Sequence, residues 1–327
     1  MTSQSIFSEF DGSTPSVSLP ELSARLLQEQ ASSWPQLAKG IASLDTVKIR
    51  EVPCNGFSVI LQFNPGRIVS TGAKVDAKSI RERPCFLCAG NLPPEQKGIL
   101  AFREFLVLCN PAPIFRGHYT ITHVDHIPQA IEPFAHSFLQ LAHDLGPDFT
   151  VFYNGPRCGA SAPDHMHFQA SPSGAIPVER DAADERRRKV LKKVKDVTIL
   201  TLENYGRDLI LLESPHRHGL EEVFLNLLQS LRALSGVKEE PMINILCSFR
   251  NEAWRMILFP RTKHRPDVFF KEGEERVMVS PAAVDIGGLI ITPREKDFLG
   301  LTAGMIEGIF REVSVDAGTI REIVGSP

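Results

Sequence analysis

The chain has 327 residues, of which 43% are hydrophobic and 23% charged, and a net charge of −3; this is the balance of a soluble globular protein long enough for one large domain or two ordinary ones. So small a charge argues against nucleic acid or an anionic membrane as the main partner. Six irregularly spaced cysteines make no disulfide framework, no run of roughly eighteen apolar residues offers a membrane span, and the N-terminus lacks the basic-then-apolar order of a secretory signal, so the expectation is a cytoplasmic enzyme with reduced thiols.

In chain order, residues 1–18 are polar and expected to be mobile. Pro20-Glu21-Leu22 opens an amphipathic run through Leu37 that reads as a helix, with Leu22, Leu26, Leu27 and Trp34 on its apolar side. These residues, 1–44, form an N-terminal arm and helix. Thr46 to Leu61 is strand-like, and Gln62 to Val69 continues as strand, turn and strand about Asn64-Pro65-Gly66-Arg67.

Arg83-Pro84-Cys85-Phe86-Leu87-Cys88-Ala89-Gly90-Asn91 has the form of a metal knuckle, because two thiolates separated by two residues wrap one tetrahedral ion and Gly90 allows the turn. A redox pair is the other reading of this spacing, but no βαβ unit follows it. The cysteines supply half a metal site. Arg116 to Pro128 brings three histidines, His118, His123 and His126, to complete it. Phe134, Phe138, Leu141, Ala142 and Leu145 then recur at helical spacing until Gly146-Pro147 stops the helix.

Tyr153 to Gln169 reads Y-N-G-P-R-C-G-A-S-A-P-D-H-M-H-F-Q. Gly155 and Gly159 permit positive φ and close approach of a ligand, so the loop can aim backbone N–H groups at an anion. His165-Met166-His167-Phe168-Gln169 alternates polar and apolar as a half-buried strand does, which would put His165, His167 and Gln169 on one face at intervals of about 6–7 Å. Alone, H-x-H is equally a pair of hydrogen-bonded structural histidines. The N-G-x-x-x-G-A-S loop ahead of it favours a phosphate site.

At these residues the chain resembles the nucleotidyltransferase branch of the histidine-triad (HIT-like) superfamily, in which Gln replaces the third histidine. Galactose-1-phosphate uridylyltransferase, the diadenosine-polyphosphate phosphorylases (ATP adenylyltransferases) and GDP-galactose phosphorylase belong there. The resemblance implies an α+β, HIT-like fold of antiparallel sheets with flanking helices, with a catalytic half over 45–175 and a second HIT-like half over 176–327. It implies that His167 is the nucleophile that takes a nucleoside monophosphate, that Gln169 and Ser161 assist at the phosphoryl oxygens, and that Asn154, Gly155, Arg157 and Gly159 bind substrate. Relatives carry an N-P segment with a nearby Arg close to the nucleotide, which makes Arg67 a candidate contact. Residues 116–128 are similar to the family's G-H-x-x-x-x-P-x-x-H stretch, with His123 where the proline usually stands. The uridylyltransferase metal ligands match Cys85, Cys88, His126 and His165, which implies a structural zinc; His118 or His123 remains open in place of His126.

Beyond Ser171-Pro172-Ser173-Gly174, the run from Glu179 to Lys195 is acidic first and basic last, an order that suits a helix dipole and predicts a solvated helix or flap between the halves. Strands over Val197–Leu202 and Arg207–Glu213, a helix from Leu220 to Ser235 ended by Gly236, and a hairpin of Met242–Phe249 and Trp254–Pro260 follow. The cluster Arg261, Lys263, His264 and Arg265 is either an exposed basic turn or faces the phosphates, with His264 as the candidate contact. Glu272–Arg276 reads as a charged turn, Val284–Pro293 as an apolar strand, and Arg294 onward as a closing helix.

An imidazole, with an ordinary pKa of about 6.5, is a competent nucleophile near neutral pH. The expected reaction moves a nucleoside monophosphate from a nucleotide sugar or dinucleoside polyphosphate to phosphate or a sugar phosphate. A hydrolase of the same donors and a zinc-stabilised nucleotide-binding protein without turnover are the alternatives. No nucleic-acid or membrane partner is expected, and a homodimer is compatible with the family.

Overall fold

The computed structural model describes residues 5–12, 17–68, 72 and 76–325. Its first part runs through strand β1 (Ile6–Phe10), helices α1 (Leu19–Ser33) and α2 (Pro35–Ser43), strands β2 (Lys48–Pro53) and β3 (Ser58–Phe63), and helix α3 (Ala77–Glu82). Strands β4 (Gly98–Ala101), β5 (Phe105–Cys109) and β6 (Tyr119–His123), helix α4 (Ala135–Leu145), strands β7 (Phe149–Asn154) and β8 (His167–Pro172), and helix α5 (Pro177–Ala183) come next. Strands β9 (Arg188–Val194), β10 (Val197–Leu202) and β11 (Ile210–Ser214), helix α6 (Arg217–Ser235), and strands β12 (Ile243–Arg250) and β13 (Ala253–Pro260) follow. The chain closes with helix α7 (Ala283–Ile286), strand β14 (Leu289–Thr292), and helices α8 (Glu295–Gly300), α9 (Ala303–Val313) and α10 (Ala317–Gly325).

Among the described residues, eleven strands form one sheet in the order β1-β4-β5-β6-β8-β7-β12-β13-β11-β10-β9. Only the β1–β4 pair is parallel among them. Setting β1 aside, the sheet is one five-strand order used twice: β4-β5-β6-β8-β7 from one side and β9-β10-β11-β13-β12 from the other. Each unit places its long helix, α4 or α6, between its third and fourth strands. The units meet where β7 pairs with β12, at Asn154↔Asn244 through Val151↔Cys247.

Period-2 alternation sends side chains to both faces of this sheet. Val151, Tyr153, Ile245 and Cys247 pack with α1, α4, α6 and α10 on one side. Phe152 and Leu246 join the other core, which is built from the small sheet β14-β3-β2 and helices α5, α7, α8 and α9.

Local chemistry sets the boundaries. The Glu21 N–H donates to Ser18 Oγ while the Ser18 N–H donates to the Glu21 carboxylate (3.0 Å), a capping box that starts α1. Pro35 splits the predicted 20–37 helix in two, since its ring cannot continue α1 beyond Trp34. Gly236 ends α6 in the left-handed conformation, φ 64°.

Several expectations are corrected. Residues 6–10 are not mobile but form β1; residues 1–4 and 13–16 of that stretch lie outside the described residues, as does the predicted strand's end at Val69. The 179–195 run is not one helix: α5 stops at Ala183, and Arg188–Val194 is the edge strand β9 on β10. Val190, Leu191 and Val194 favour a strand, and lysines on a free edge discourage further pairing. Within 284–293 the strand begins only at Leu289, after α7, because Gly288 turns the chain at φ 105°. The closing helix is three helices. No described helix is long and apolar enough to cross a membrane.

Candidate active site

Strand β8, flanked by β6 and β7, begins at His167 and not at His165. His165 sits in the turn ahead of it, where its N–H donates to the Ala162 carbonyl (3.1 Å). The expected single face of three polar residues is therefore divided: His165 is buried against the cysteine pair, while His167 and Gln169 line a cleft of about 690 Å³. That volume lies within the ~300–1,000 Å³ of small-molecule sites.

His167 is 3% exposed. Its Nδ1 lies 2.8 Å from the His165 carbonyl, which can only accept, so Nδ1 carries the hydrogen and Nε2 keeps its lone pair. Burial lowers the imidazole to about 4. The backbone N–H of His167 donates to Gln129 Oε1 (2.7 Å), and Gln129 Nε2 donates to the Asn154 and His167 carbonyls (3.0 and 2.9 Å). Gln129 thus joins the diverging ends of β7 and β8.

Gln169 is oriented by His118. The Ile114 N–H donates to His118 Nδ1 (3.2 Å), so Nε2 carries the hydrogen and donates to Gln169 Oε1 (2.9 Å). This leaves the Gln169 NH2 for the cleft. Burial and the charge of Arg67 push His118 down to about 3, so it remains neutral. Asn154 is fixed in the same sense: Oδ1 accepts from the Ala283 N–H (2.8 Å) and from Asn244 Nδ2 (3.0 Å), and Arg261 Nη1 donates to Asn244 Oδ1.

Gly159 has φ 112°, and a Cβ there would stand 2.7 Å from that of Ala282, so only glycine lets the loop close on the second unit. Gly159, Ser161, Arg67 and His264 line the cleft with His167, Gln169 and Asn154. The structure does not bring Gly155 and Arg157 to it. A Cβ on Gly155 would meet the Ile243 carbonyl at 2.8 Å, and Arg157 donates to the Glu240 carbonyl (3.1 Å).

Three arginines, Arg67, Arg83 and Arg265, are among the residues that line the cleft. Arg67 donates to the Ala112 carbonyl (2.6 Å) and is lowered to about 10 by burial. Asp285, opposite in charge, is raised to about 6 by burial although it accepts the Ile291 and Ala282 N–H groups (3.0 and 3.1 Å). Of the basic cluster at 261–265, only His264 and Arg265 line the cleft. Arg261 is buried and donates to the carbonyls of Val313, Pro281, Lys263 and His264, while Lys263 pairs with Asp267 and Glu312. His264 is lowered to about 4 by burial and the neighbouring arginine charges.

Beside the cleft, one ligand atom from each of Cys85, Cys88, His126 and His165 lies within 4.8 Å of the others. His165 Nδ1 is 3.3 and 3.6 Å from the Cys85 and Cys88 Sγ atoms, and His126 Nδ1 is 3.2 Å from Cys88 Sγ. A tetrahedral ion with bonds of about 2.0–2.3 Å has ligand–ligand edges of roughly 3.3–3.8 Å, so this set can hold a metal ion. His165 Nε2 donates to the His123 carbonyl (2.9 Å), which leaves Nδ1 bare toward the cysteines. His118 and His123 stand outside the set, His123 Nδ1 accepting the Asp125 N–H (2.9 Å). Arg83 Nη2 donates to Asp164 (3.1 Å) and to the Ser161 carbonyl (3.2 Å), and Asp164 approaches His126 Nε2 at 3.9 Å, which ties this cluster to the loop of the cleft.

His118, in the sequence a candidate metal ligand only, stands immediately ahead of β6 and reaches Gln169 on β8. Sequence reasoning missed Gln129, Asn244 and Asp285, whose roles appear only once β7, β8, β12 and α7 are side by side.

Two family profiles match the chain: residues 26–172 match one described as "Domain of unknown function (DUF4922)", and residues 181–325 one described as "GDPGP1-like, C-terminal domain". No curated protein matches it in sequence. Among solved structures, yeast Ap4A phosphorylase Apa2 is similar over 85% of this chain and 96% of its own, with TM-score 0.58 and 15% identity. The same phosphorylase in complex with Ap4A is similar over 89% and 97% (TM-score 0.57, 14% identity), and in complex with AMP over 90% and 98% (0.54, 15%). The likeness establishes a shared fold, the α+β one expected from the sequence.

Proposed function

We propose that the chain, which shares the fold of yeast Ap4A phosphorylase and whose residues 181–325 match the GDPGP1-like C-terminal domain, is a member of the nucleotidyltransferase and phosphorylase branch of the histidine-triad superfamily and moves a nucleoside monophosphate from a nucleotide sugar or dinucleoside polyphosphate to phosphate or a sugar phosphate through His167. One observation carries this reading. The bare Nε2 of His167 faces a cleft in which the Gln169 amide has only its NH2 to offer.

Nε2 attacks the α-phosphorus, and the bond to the bridging oxygen breaks, so the leaving group departs as a phosphate-ended anion that needs no proton. The acceptor's phosphate oxygen then attacks the same phosphorus, the P–N bond breaks, and His167 returns neutral. Gln169, Asn154 and Ser161 donate to the phosphoryl oxygens where charge develops, and Arg67 offsets that charge. His264 and Arg265 face the departing or accepting phosphate. Gly159 allows the loop to approach, and Gly155 and Arg157 act on the substrate only by holding that loop.

Cys85, Cys88, His126 and His165 are the ligands of a structural zinc, since two thiolates and two imidazoles suit it and leave no open position. Bound zinc supplies a cross-link that holds His165, and with it the carbonyl on which His167 is oriented. Residues 45–175 form the catalytic half, residues 176–327 a second half and residues 1–44 an arm. The repeated strand order supports this division, and β13, the counterpart of β8, carries no histidine. All six cysteines are free, in keeping with a reducing compartment such as the cytoplasm.

The test is intact-protein mass spectrometry after brief incubation with nucleotide sugars and dinucleoside polyphosphates. A mass gain of one nucleoside monophosphate in the wild type and none in His167→Ala supports the proposal. Donor consumed without acceptor would replace it with hydrolysis; no adduct and no consumption would leave a binding protein.

A further inference from the structure

A second cavity, of about 200 Å³, lies over the seam where β7 meets β12, and none of its lining residues borders the cleft. Thr150 of β7, Ser248 and Arg250 of β12, Arg255 of β13, and Glu179 and Arg180 of α5 line it. Three guanidinium groups from three elements thus border one small space. Like charges gathered in this way repel unless something negative meets them, and the protein meets these only in part. The one carboxylate in the lining, Glu179, is committed elsewhere: it accepts from the Thr150 hydroxyl and from the Gly174 and Ile176 N–H groups (3.1 and 3.0 Å), and burial raises it above the ordinary carboxyl range. Arg255 is held by Glu213 (2.7 Å), which also serves Arg188 (3.2 Å). Arg250 donates Nε to the Pro147 carbonyl (3.1 Å) and makes no ion pair among the described residues, while Arg180 has only its neighbour Asp181, at 3.8 Å. Ser248 stands directly opposite Arg255 in the β12–β13 register, and its hydroxyl meets no protein partner among the described residues.

We propose that this seam cavity is a second anion site, separate from the cleft, which takes a compact phosphate group, as the free ion or a small monoester, on Arg180, Arg250, Arg255 and Ser248. Guanidinium forks match the oxygens of a tetrahedral anion, and the hydroxyl adds a neutral donor. The volume lies below the ~300 Å³ at which small-molecule sites begin, which excludes a nucleotide. The site belongs to neither unit alone, since β7 comes from one and β12 and β13 from the other. It stands independently of nucleotidyl transfer.

The full-length protein is titrated calorimetrically with inorganic phosphate, with glycerol 1-phosphate and with AMP. Wild type is compared with Arg180→Gln/Arg250→Gln, which removes two exposed cations, and with Ser248→Asp, which adds a negative charge and keeps every arginine. The expected result is a phosphate-binding event in the wild type that weakens at least about tenfold in both variants, with AMP affinity unchanged. Loss for the free ion alone identifies inorganic phosphate as the ligand, and loss for the ester alone a monoester. Phosphate and ester isotherms that coincide in wild type and both variants would overturn the proposal, as would a wild type that binds neither. An equal loss for AMP would show that these residues act on the cleft and would overturn a separate site. A wild type that binds phosphate at the seam but no AMP would count against nucleotidyl transfer and leave this site standing.

Discussion

His118 and Gln169 are joined by a hydrogen bond of 2.9 Å whose direction is set from behind, by the Ile114 N–H on the far nitrogen of the ring. Gln169 is thus a donor toward the cleft because His118 is a donor toward Gln169. Replacing His118 with Phe frees the amide to rotate and to present its carbonyl to the phosphoryl oxygens. Since losing one donor to a developing oxyanion costs about 10²–10³ in rate, His118→Phe is expected to lower kcat by one to two powers of ten with little change in KM. Steady-state kinetics with a saturating donor checks it; an unchanged kcat would remove His118 from the mechanism.

Asn244 stands between a buried cation and the cleft. Asn244→Leu leaves Arg261 Nη1 and Asn154 Oδ1 each short of a partner in the interior. Arg261 Nη1 keeps the Pro281 carbonyl and Asn154 Oδ1 keeps the Ala283 N–H, while the Cys158 carbonyl also loses its bond from Asn244 Nδ2 (2.7 Å), so the cost is on the order of 2 kcal/mol and the urea midpoint should fall accordingly. Asn244→Asp, which still accepts from Arg261, should lose less.

Removing the metal should be felt first as stability. A chelator, or Cys85→Ala, is expected to abolish metal binding and lower the melting temperature by several degrees or more, because ligand binding to the folded state alone adds to its stability. Metal content by atomic emission and melting by calorimetry read this out. A Cys85→Ala protein with full metal content would show that the four residues are not its ligands.

Glu240 makes stability depend on pH. It is buried, it accepts from the Tyr153 hydroxyl (2.7 Å) and the Ile131 N–H (2.6 Å), and burial outweighs both bonds and raises it from 4.5 to about 7. Its folded pKa lies above its unfolded one, so its contribution is complete below about 4.5 and is lost as pH rises through about 7, by up to on the order of 3 kcal/mol. Urea unfolding at pH 5 and at pH 7.5 should show this difference in the wild type. In Glu240→Gln, whose amide can serve both partners, the difference should shrink.

The sequence was informative where a residue's role is local. Gly236 ends α6 as expected, and the 251–252 turn of the expected β12–β13 hairpin adopts positive φ, whereas Pro35 and the Ser18–Glu21 pair, equally local, went unread because the apolar spacing continues from Leu22 to Leu37. The H-x-H-x-Q stretch pointed to residues that do line the cleft or meet the cysteines, but its geometry was not legible, because nothing in its alternation reveals that the strand starts at His167. The 179–195 run misled for a physical reason: charge order reports on a helix dipole, whereas an edge strand tolerates the same lysines on its open side. Asn244 and Asp285 carried no signal, since their roles arise from a register between β7 and β12 and from α7 folding over the loop.

The seam at β7 and β12 has a mechanical consequence. Four residue pairs join the two units edge to edge, so the floor of the cleft, with Thr120, Phe152, Asn154, His167 and Gln169, belongs to one continuous plate whose halves cannot swing apart like the blades of a clamshell. Traffic in and out of the site must then be governed by side chains and short loops, such as 155–161 and 261–265, moving over a rigid floor. The same seam means that the duplicated unit is not spare: severing the chain after 175 would lay bare the β7 edge and take away the backing of Asn154, so the unit whose β13 carries no histidine is as necessary to the surroundings of His167 as the unit that holds it.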